Sequence, residues 1–218
     1  MYQHRYADGT ACNLPAGKVV CVGRNYAEHA KELNNPVPAE PILFIKPRTA
    51  LVPMDAPVAV PPGNCHFETE MAVLIGASLK DATEAQVRAA ISGIGLGLDL
   101  TRRDVQDELK AKGLPWEKAK AFDGACPISA FVKPDRVADL ASTRIRLLVN
   151  GETRQDGNTA DMLTPVVPLI AYMSTFFTLE PGDVVLTGTP KGVGPLRAGD
   201  ALRVVLGDDL LVVETEAV

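Results

Sequence analysis

The run His66-Phe67-Glu68-Thr69-Glu70-Met71-Ala72-Val73-Leu74-Ile75 decides how this chain is read. Its second half is short, apolar and rich in residues that favour extended backbone, so 68–75 reads as a strand. A strand's period of two sends Glu68 and Glu70 to one face, which continues with Ala72 and Leu74. Two carboxylates on a face that turns apolar one step later are either the wet part of an edge strand or a cation site, because a buried anion needs compensating charge. The segment Ile94-Gly95-Leu96-Gly97-Leu98-Asp99-Leu100 repeats this logic. Leu96, Leu98 and Leu100 share one face. Gly95, Gly97 and Asp99 share the other, where missing side chains leave room for something to approach the backbone. Three carboxylates make a hard, all-oxygen donor set that selects Mg²⁺, Mn²⁺ or Ca²⁺ over zinc.

Outward from these segments the chain alternates strands with short helices. Residues 18–22 read as a buried strand, and Asn25 as the cap of a helix over 27–33 that Asn34-Asn35-Pro36 stops. Strands follow at 42–45 and, within a proline-rich loop, at 58–60. Thr83 and Glu84 open a helix that Gly93 closes. Thr101-Arg102-Arg103-Asp104 resembles a capping box for a helix over 105–112, ended by Gly113 and Pro115. Strands are expected at 128–132 and 144–149, with Asn150-Gly151 turning the latter into 152–155. A helix over 164–177 and strands at 184–187, 202–206 and 211–213 complete a mainly β protein with a few helices, of the α+β class.

The 218 residues are enough for one full core. We expect a lead-in over 1–15 and a single domain over 16–218. Charged residues make up 22% and hydrophobic ones 46%, which is globular usage, and the net charge of −5 argues against general nucleic-acid binding. Cys12, Cys21, Cys65 and Cys126 form no Cys-x-x-Cys pair, so neither a zinc site nor a disulfide framework is suggested and a reducing cytoplasm fits. The first fifteen residues are polar and no apolar run approaches membrane-spanning length, which leads us to expect a soluble, unprocessed protein.

Further chemistry rests on few groups. His29 and Glu32 are three apart on an expected helix, so the carboxylate can hold the imidazole in one tautomer and raise its basicity, or both can lie on a solvated surface. His66 shares the parity of Glu68 and Glu70. Lys46, Lys118 and Lys120 border apolar sequence and, with Arg24 and Arg103, can neutralise a dicarboxylate or simply snorkel to solvent. The loop Thr187-Gly188-Thr189-Pro190-Lys191-Gly192-Val193-Gly194-Pro195 can cradle an anion with backbone N–H groups or serve as a turn; it lacks the order of a nucleotide-binding P-loop.

Six motifs taken in order carry a resemblance. Val20-Cys21-Val22-Gly23-Arg24-Asn25-Tyr26, Phe44-Ile45-Lys46-Pro47, His66-x-Glu68-x-Glu70, Leu98-Asp99-Leu100-Thr101-x-Arg103-Asp104-Val105-Gln106, Lys118-Ala119-Lys120-Ala121-Phe122-Asp123 and the glycine-rich loop from Leu186 resemble the fumarylacetoacetate hydrolase family. Within it the chain is most similar to the short, single-domain branch of acylpyruvases and oxaloacetate decarboxylases or tautomerases. The resemblance implies a mixed β-roll, a homodimer, and Mg²⁺ or Mn²⁺ held by Glu68, Glu70 and Asp99 with Lys120 beside it. It also implies His29 and Glu32 as a water-activating dyad on a mobile lid, and Arg24, Lys46, Arg103, Gln106 and Thr189 as contacts for a 2-oxo acid.

The function expected first is hydrolysis of the C3–C4 bond of acylpyruvates, giving pyruvate and a carboxylic acid. Tautomerisation or decarboxylation of oxaloacetate at the same site is the alternative, followed by isomerisation or decarboxylation of aromatic-degradation intermediates. A non-catalytic binding protein with a structural metal is the reading from a different class, and the His29–Glu32 pair argues against it.

Overall fold

A computed structural model describes residues 2–33 and 36–218. A seven-stranded mixed sheet carries the fold. Its strands are β1 (Val19–Gly23), β2 (Ile42–Lys46), β3 (Leu51–Pro53), β5 (Thr69–Ile75), β6 (Ile91–Leu98), β8 (Cys126–Ile128) and β11 (Val184–Leu186), in the spatial order β2-β1-β11-β5-β6-β8-β3. Pairs β1·β11 and β3·β8 are parallel and the rest antiparallel. A three-stranded sheet holds β4 (Cys65–Phe67), β7 (Thr101–Arg102) and β12 (Gly194–Pro195), and a four-stranded one holds β9 (Arg144–Val149), β10 (Glu152–Asn158), β13 (Ala201–Leu206) and β14 (Leu211–Glu216). The helices are α1 (Ala27–Glu32), α2 (Glu84–Ala90), α3 (Arg103–Ala111), α4 (Glu117–Lys120) and α5 (Val166–Phe176). This is the mainly β, α+β architecture expected.

β5 is buried along its whole length because it lies mid-sheet with a core on each face. Met71, Val73 and Ile75 enter the larger core with β6, β9, β13 and α5, while Ala72 and Leu74 enter a smaller one with Val19, Ile128, Phe131 and Leu186. The edge-strand alternative is thereby removed. The glycines of β6 face the smaller core, where a Cβ on Gly97 would lie 2.5 Å from Leu186 Cδ2 and one on Gly95 2.8 Å from Ser129 Oγ. Their missing side chains therefore admit neighbouring core side chains, not a ligand.

Several local expectations need correction. Asn25 does not cap α1. Its amide bonds the carbonyls of Thr164 and Thr187 and the N–H of Thr164, pinning the start of the helix to the loop before α5. The stop assigned to Asn34-Asn35 lies outside the described residues. The capping box at Thr101 is absent: Thr101 is in β7, Arg102 occupies the cap of α3, and the Thr101 hydroxyl donates to the Asp99 carbonyl. Gly93 lies inside β6, and α2 ends at Ala90. Val58 forms only an isolated bridge to Ala217, whereas β3, β4 and the four-residue α4 went unread because their local signals are weak. Strand β8 ends at Ile128, with Val132 bridging Ile94 separately. Thr83 forms a full capping box with Gln86, and Asn150 and Gly151 take φ of 53° and 81° in the hairpin turn.

Candidate active site

The carboxylates of Glu68, Glu70 and Asp99 converge, with one oxygen of each within 4.8 Å of the others, and all three are buried. Glu70 stands opposite Gly97 in the β5·β6 ladder, and the Asp99 N–H bonds the Glu68 carbonyl at 2.8 Å, extending that pairing past the strand ends. The two segments quoted from the sequence thus meet as adjacent strand ends.

Cations surround this trio unevenly. Lys120 Nζ donates to Glu68 Oε2 at 2.8 Å, Asp99 Oδ2 at 2.6 Å and Thr101 Oγ1 at 2.7 Å. Arg103 pairs closely with Glu68 Oε1 and donates to Gln106 Oε1 at 2.6 Å. Burial alone would raise the Glu68 pKa, but Lys120, Arg103 and His29 outweigh it and hold that carboxyl far below its ordinary range. Burial likewise opposes the charge on Lys120, and Asp99 and Glu68 overcome it, so the lysine pKa is raised.

Glu70 is different. Its Oε2 accepts the Gly188 N–H at 2.5 Å, and among the described residues no cation pairs with it. Burial, then Asp99 and Glu68, push its pKa well above the carboxylate range. Asp99 Oδ1 has Lys46 Nζ at 2.8 Å but accepts no directed hydrogen bond, because the carbonyls of Lys120, Ala125 and Leu100 take the ammonium protons. An uncompensated buried carboxylate next to an oxygen with a free lone pair fits a hard divalent cation, and Glu68, Glu70 and Asp99 would hold it.

The cleft above the trio is lined by Val22, Gly23, Arg24, His29, Leu33, Phe44, Arg103, Gln106, Lys110, Trp116, Lys120 and Thr189, together with Glu68 and Glu70, and encloses about 30 Å³. His29 is buried at its edge, with Nδ1 3.5 Å from Glu32 Oε2, and burial lowers its pKa against the opposing pull of Glu68 and Glu32. Glu32 is itself held by the Gly192 N–H at 3.0 Å. The glycine-rich loop does bind anions with its backbone, and they are the protein's own Glu70 and Glu32.

Of the residues expected at the site, Arg24, His29, Arg103, Gln106, Lys120 and Thr189 line the cleft, and Glu32 backs His29. Lys46 does not line it. Fully buried beneath the trio, it orients Asp99 and the chain around Ala125, so its placement among substrate contacts is corrected. Lys118 is exposed, and His66 pairs with Thr101 and Pro195 outside the carboxylate group. Sequence reasoning missed Lys110, which looks like any solvated helix lysine. It also missed Gln155, whose position in a polar hairpin gave no sign of burial.

A family model described as fumarylacetoacetate (FAA) hydrolase C-terminal matches residues 18–216. The chain belongs to this family. It is 58% identical over 207 residues, 94% of each chain, to the oxaloacetate tautomerase YcgM of Escherichia coli (strain K12). It is 48% identical over 187 residues, 85% of each chain, to the mitochondrial oxaloacetate tautomerase FAHD1 of Bos taurus. A mitochondrial oxaloacetate decarboxylase of Dictyostelium discoideum is 43% identical over 189 residues, 85% of this chain and 87% of the relative. Among solved structures, a protein assigned to the same family from Yersinia pestis CO92 superposes with a TM-score of 0.97 at 52% identity over the whole of both chains. Fumarylpyruvate hydrolase from Pseudomonas aeruginosa, in complex with Mn²⁺ and pyruvate, superposes with a TM-score of 0.91 at 36% identity, covering 98% of this chain and 94% of that one.

Proposed function

We propose that this family member interconverts the keto and enol forms of oxaloacetate, with a divalent cation held by Glu68, Glu70 and Asp99. The observation that carries the reading is the 58% identity, across 94% of both chains, to an oxaloacetate tautomerase. Acylpyruvate hydrolysis, expected first from the sequence, moves to second place, because the fumarylpyruvate hydrolase stands at 36%. Its support is the His29–Glu32 pair, which can activate water as well as move a proton. Decarboxylation is supported by the 43% identity to the Dictyostelium discoideum enzyme.

Ketonisation of an enol needs a proton delivered to C3 and another removed from the C2 oxygen, with no co-reactant. His29 is the group on the cleft able to give or take the C3 proton, since its lowered pKa keeps it neutral at pH 7 and Glu32 backs its other face. Arg103 and Lys120 hold Glu68 ionised and oriented, and Gln106 holds Arg103. When bound, the cation supplies Lewis-acid stabilisation of the negative charge that develops on the 2-oxo oxygen.

The test follows the ultraviolet absorbance of enol oxaloacetate with metal-stripped protein, with and without Mg²⁺, and with His29→Ala. Acceleration that needs Mg²⁺ and falls by about 10² to 10⁴ in the variant is expected. An unchanged rate in His29→Ala removes it as the base. Pyruvate released from acetylpyruvate faster than oxaloacetate ketonises would return hydrolysis to first place. The homodimer is part of this proposal, and light scattering at the mass of a single 23.2 kDa chain would remove it.

A further inference from the structure

The cations lining the cleft fall into two groups. Lys120 spends its three ammonium protons on Glu68, Asp99 and Thr101, and Arg103 is ion-paired with Glu68 and bonded to Gln106, with only its buried Nε left over. Arg24 and Lys110 are not so engaged. Among the described residues Arg24 makes no hydrogen bond or ion pair, and the one directed contact of Lys110 is with the face of Trp116, 5.7 Å from the ring centre.

Arg24 also stands at φ of 61°, in the left-handed region that side chains with a Cβ avoid at a cost of about 1 kcal/mol or more. The strain falls where β1 hands over to the pinned start of α1, and it turns the guanidinium to the cleft wall. Lys110 reaches the same cleft from α3. Burial, then Arg103 and, less strongly, Arg24 lower the pKa of Lys110, against the opposing pull of Asp107 and Glu68. Two partly desolvated cations that repel, neither ion-paired among the described residues, describe a site for an anionic group.

We propose that Arg24 and Lys110 form a carboxylate subsite, distinct from the Glu68–Glu70–Asp99 end of the cleft, that takes the distal carboxylate of a four-carbon 2-oxo dicarboxylate. This rests on the proposed oxaloacetate chemistry and narrows it to a substrate class. A 2-oxo acid binds its C1 carboxylate and 2-oxo oxygen at the trio end, which leaves the far end to these two cations. Oxaloacetate is thereby distinguished from 2-oxo acids with an uncharged tail, since an unpaired cation pair is left behind when the tail carries no charge.

The experiment compares wild type, Arg24→Met, Lys110→Met and Lys110→Arg, all loaded with Mg²⁺. Calorimetric titration with oxaloacetate and with 2-oxobutyrate, which has four carbons and no distal carboxylate, gives the binding preference. Ketonisation kinetics give KM and kcat. We expect a wild-type preference for oxaloacetate, oxaloacetate Kd and KM raised about 10- to 100-fold in each Met variant, 2-oxobutyrate affinity unchanged, kcat changed far less than KM, and recovery in Lys110→Arg. No preference in wild type, or Met variants that bind both acids as wild type does or weaken both equally, overturns the subsite. Loss of ketonisation in wild type with the binding preference intact would instead overturn the proposed reaction and leave the subsite standing.

Discussion

Lys46 and Lys110 illustrate how one residue type takes opposite roles. Lys46 ends a strand of Ile42, Leu43, Phe44 and Ile45, and its ammonium is enclosed by three carbonyls and Asp99. A buried charge so completely partnered is costly to disrupt from one side, since its partners are left desolvated. Lys46→Met is expected to destabilise the protein by about 3–5 kcal/mol, read as a shift in the urea midpoint. A raised KM with the midpoint unchanged would place Lys46 among the substrate contacts after all. Neither outcome can be anticipated from position in a strand, because the acceptors come from around residues 100, 120 and 125.

Hairpin β9–β10 acts on the site as an element. Its register shifts between Thr153 and Gln155, and the bulge turns Gln155 inward from an otherwise polar strand. Gln155 Oε1 accepts the Thr69 N–H at 2.9 Å, and Nε2 donates to Thr189 Oγ1 at 2.7 Å and to the Pro190 carbonyl at 2.8 Å. Thr189 Oγ1 in turn donates to the Thr69 carbonyl at 2.9 Å. Both backbone groups of the single residue between Glu68 and Glu70 are therefore held by this triangle. The loop it secures also carries the N–H groups that bind Glu70 and Glu32. Gln155→Leu is expected to weaken Mn²⁺ binding about 10- to 100-fold, the usual cost of losing an outer partner of a metal ligand, measured by electron paramagnetic resonance titration. A folded variant with wild-type Mn²⁺ affinity would show that the triangle serves stability alone. The hairpin itself was legible from Asn150-Gly151. Its bulge was not, since nothing local to Thr153-Arg154-Gln155 distinguishes a regular strand from a bulged one.

At the scale of the whole molecule, the N-terminal segment ties the smaller core to the far end of the sheet. Tyr6 bridges Phe131, and the buried His4 donates from Nε2 to the Gly182 carbonyl at 2.9 Å, leaving Nδ1 without a partner. Burial lowers the His4 pKa, against smaller opposing effects of Gly182 and Asp183. The unfolded chain then takes up a proton near pH 6.5 that the folded one refuses. The contribution of His4 to stability is present above that pH and is lost as pH falls toward the lower folded pKa. The change in unfolding free energy between pH 7 and pH 5 is expected to be smaller in His4→Gln, which keeps a donor for Gly182, and parallel pH dependences would contradict this. Among the described residues no helix is long and apolar enough to cross a membrane.

The sequence by itself determined what short-range periodicity and turn chemistry control. Alternation assigned Glu68 and Glu70 to one strand face, Thr83 and Glu84 marked the start of α2, and the ordered motifs pointed to the family and the carboxylate trio. Tertiary structure decided what covers each face. β5 became fully buried because β11, more than a hundred residues later, pairs with it and brings Leu186 against Gly97. It also decided which cations, among the described residues, are ion-paired and which are not. Partnership among Lys46, Lys120, Arg24 and Lys110 depends on where distant carboxylates and carbonyls come to rest, and a local pattern carries no information about groups that meet only when the chain closes on itself.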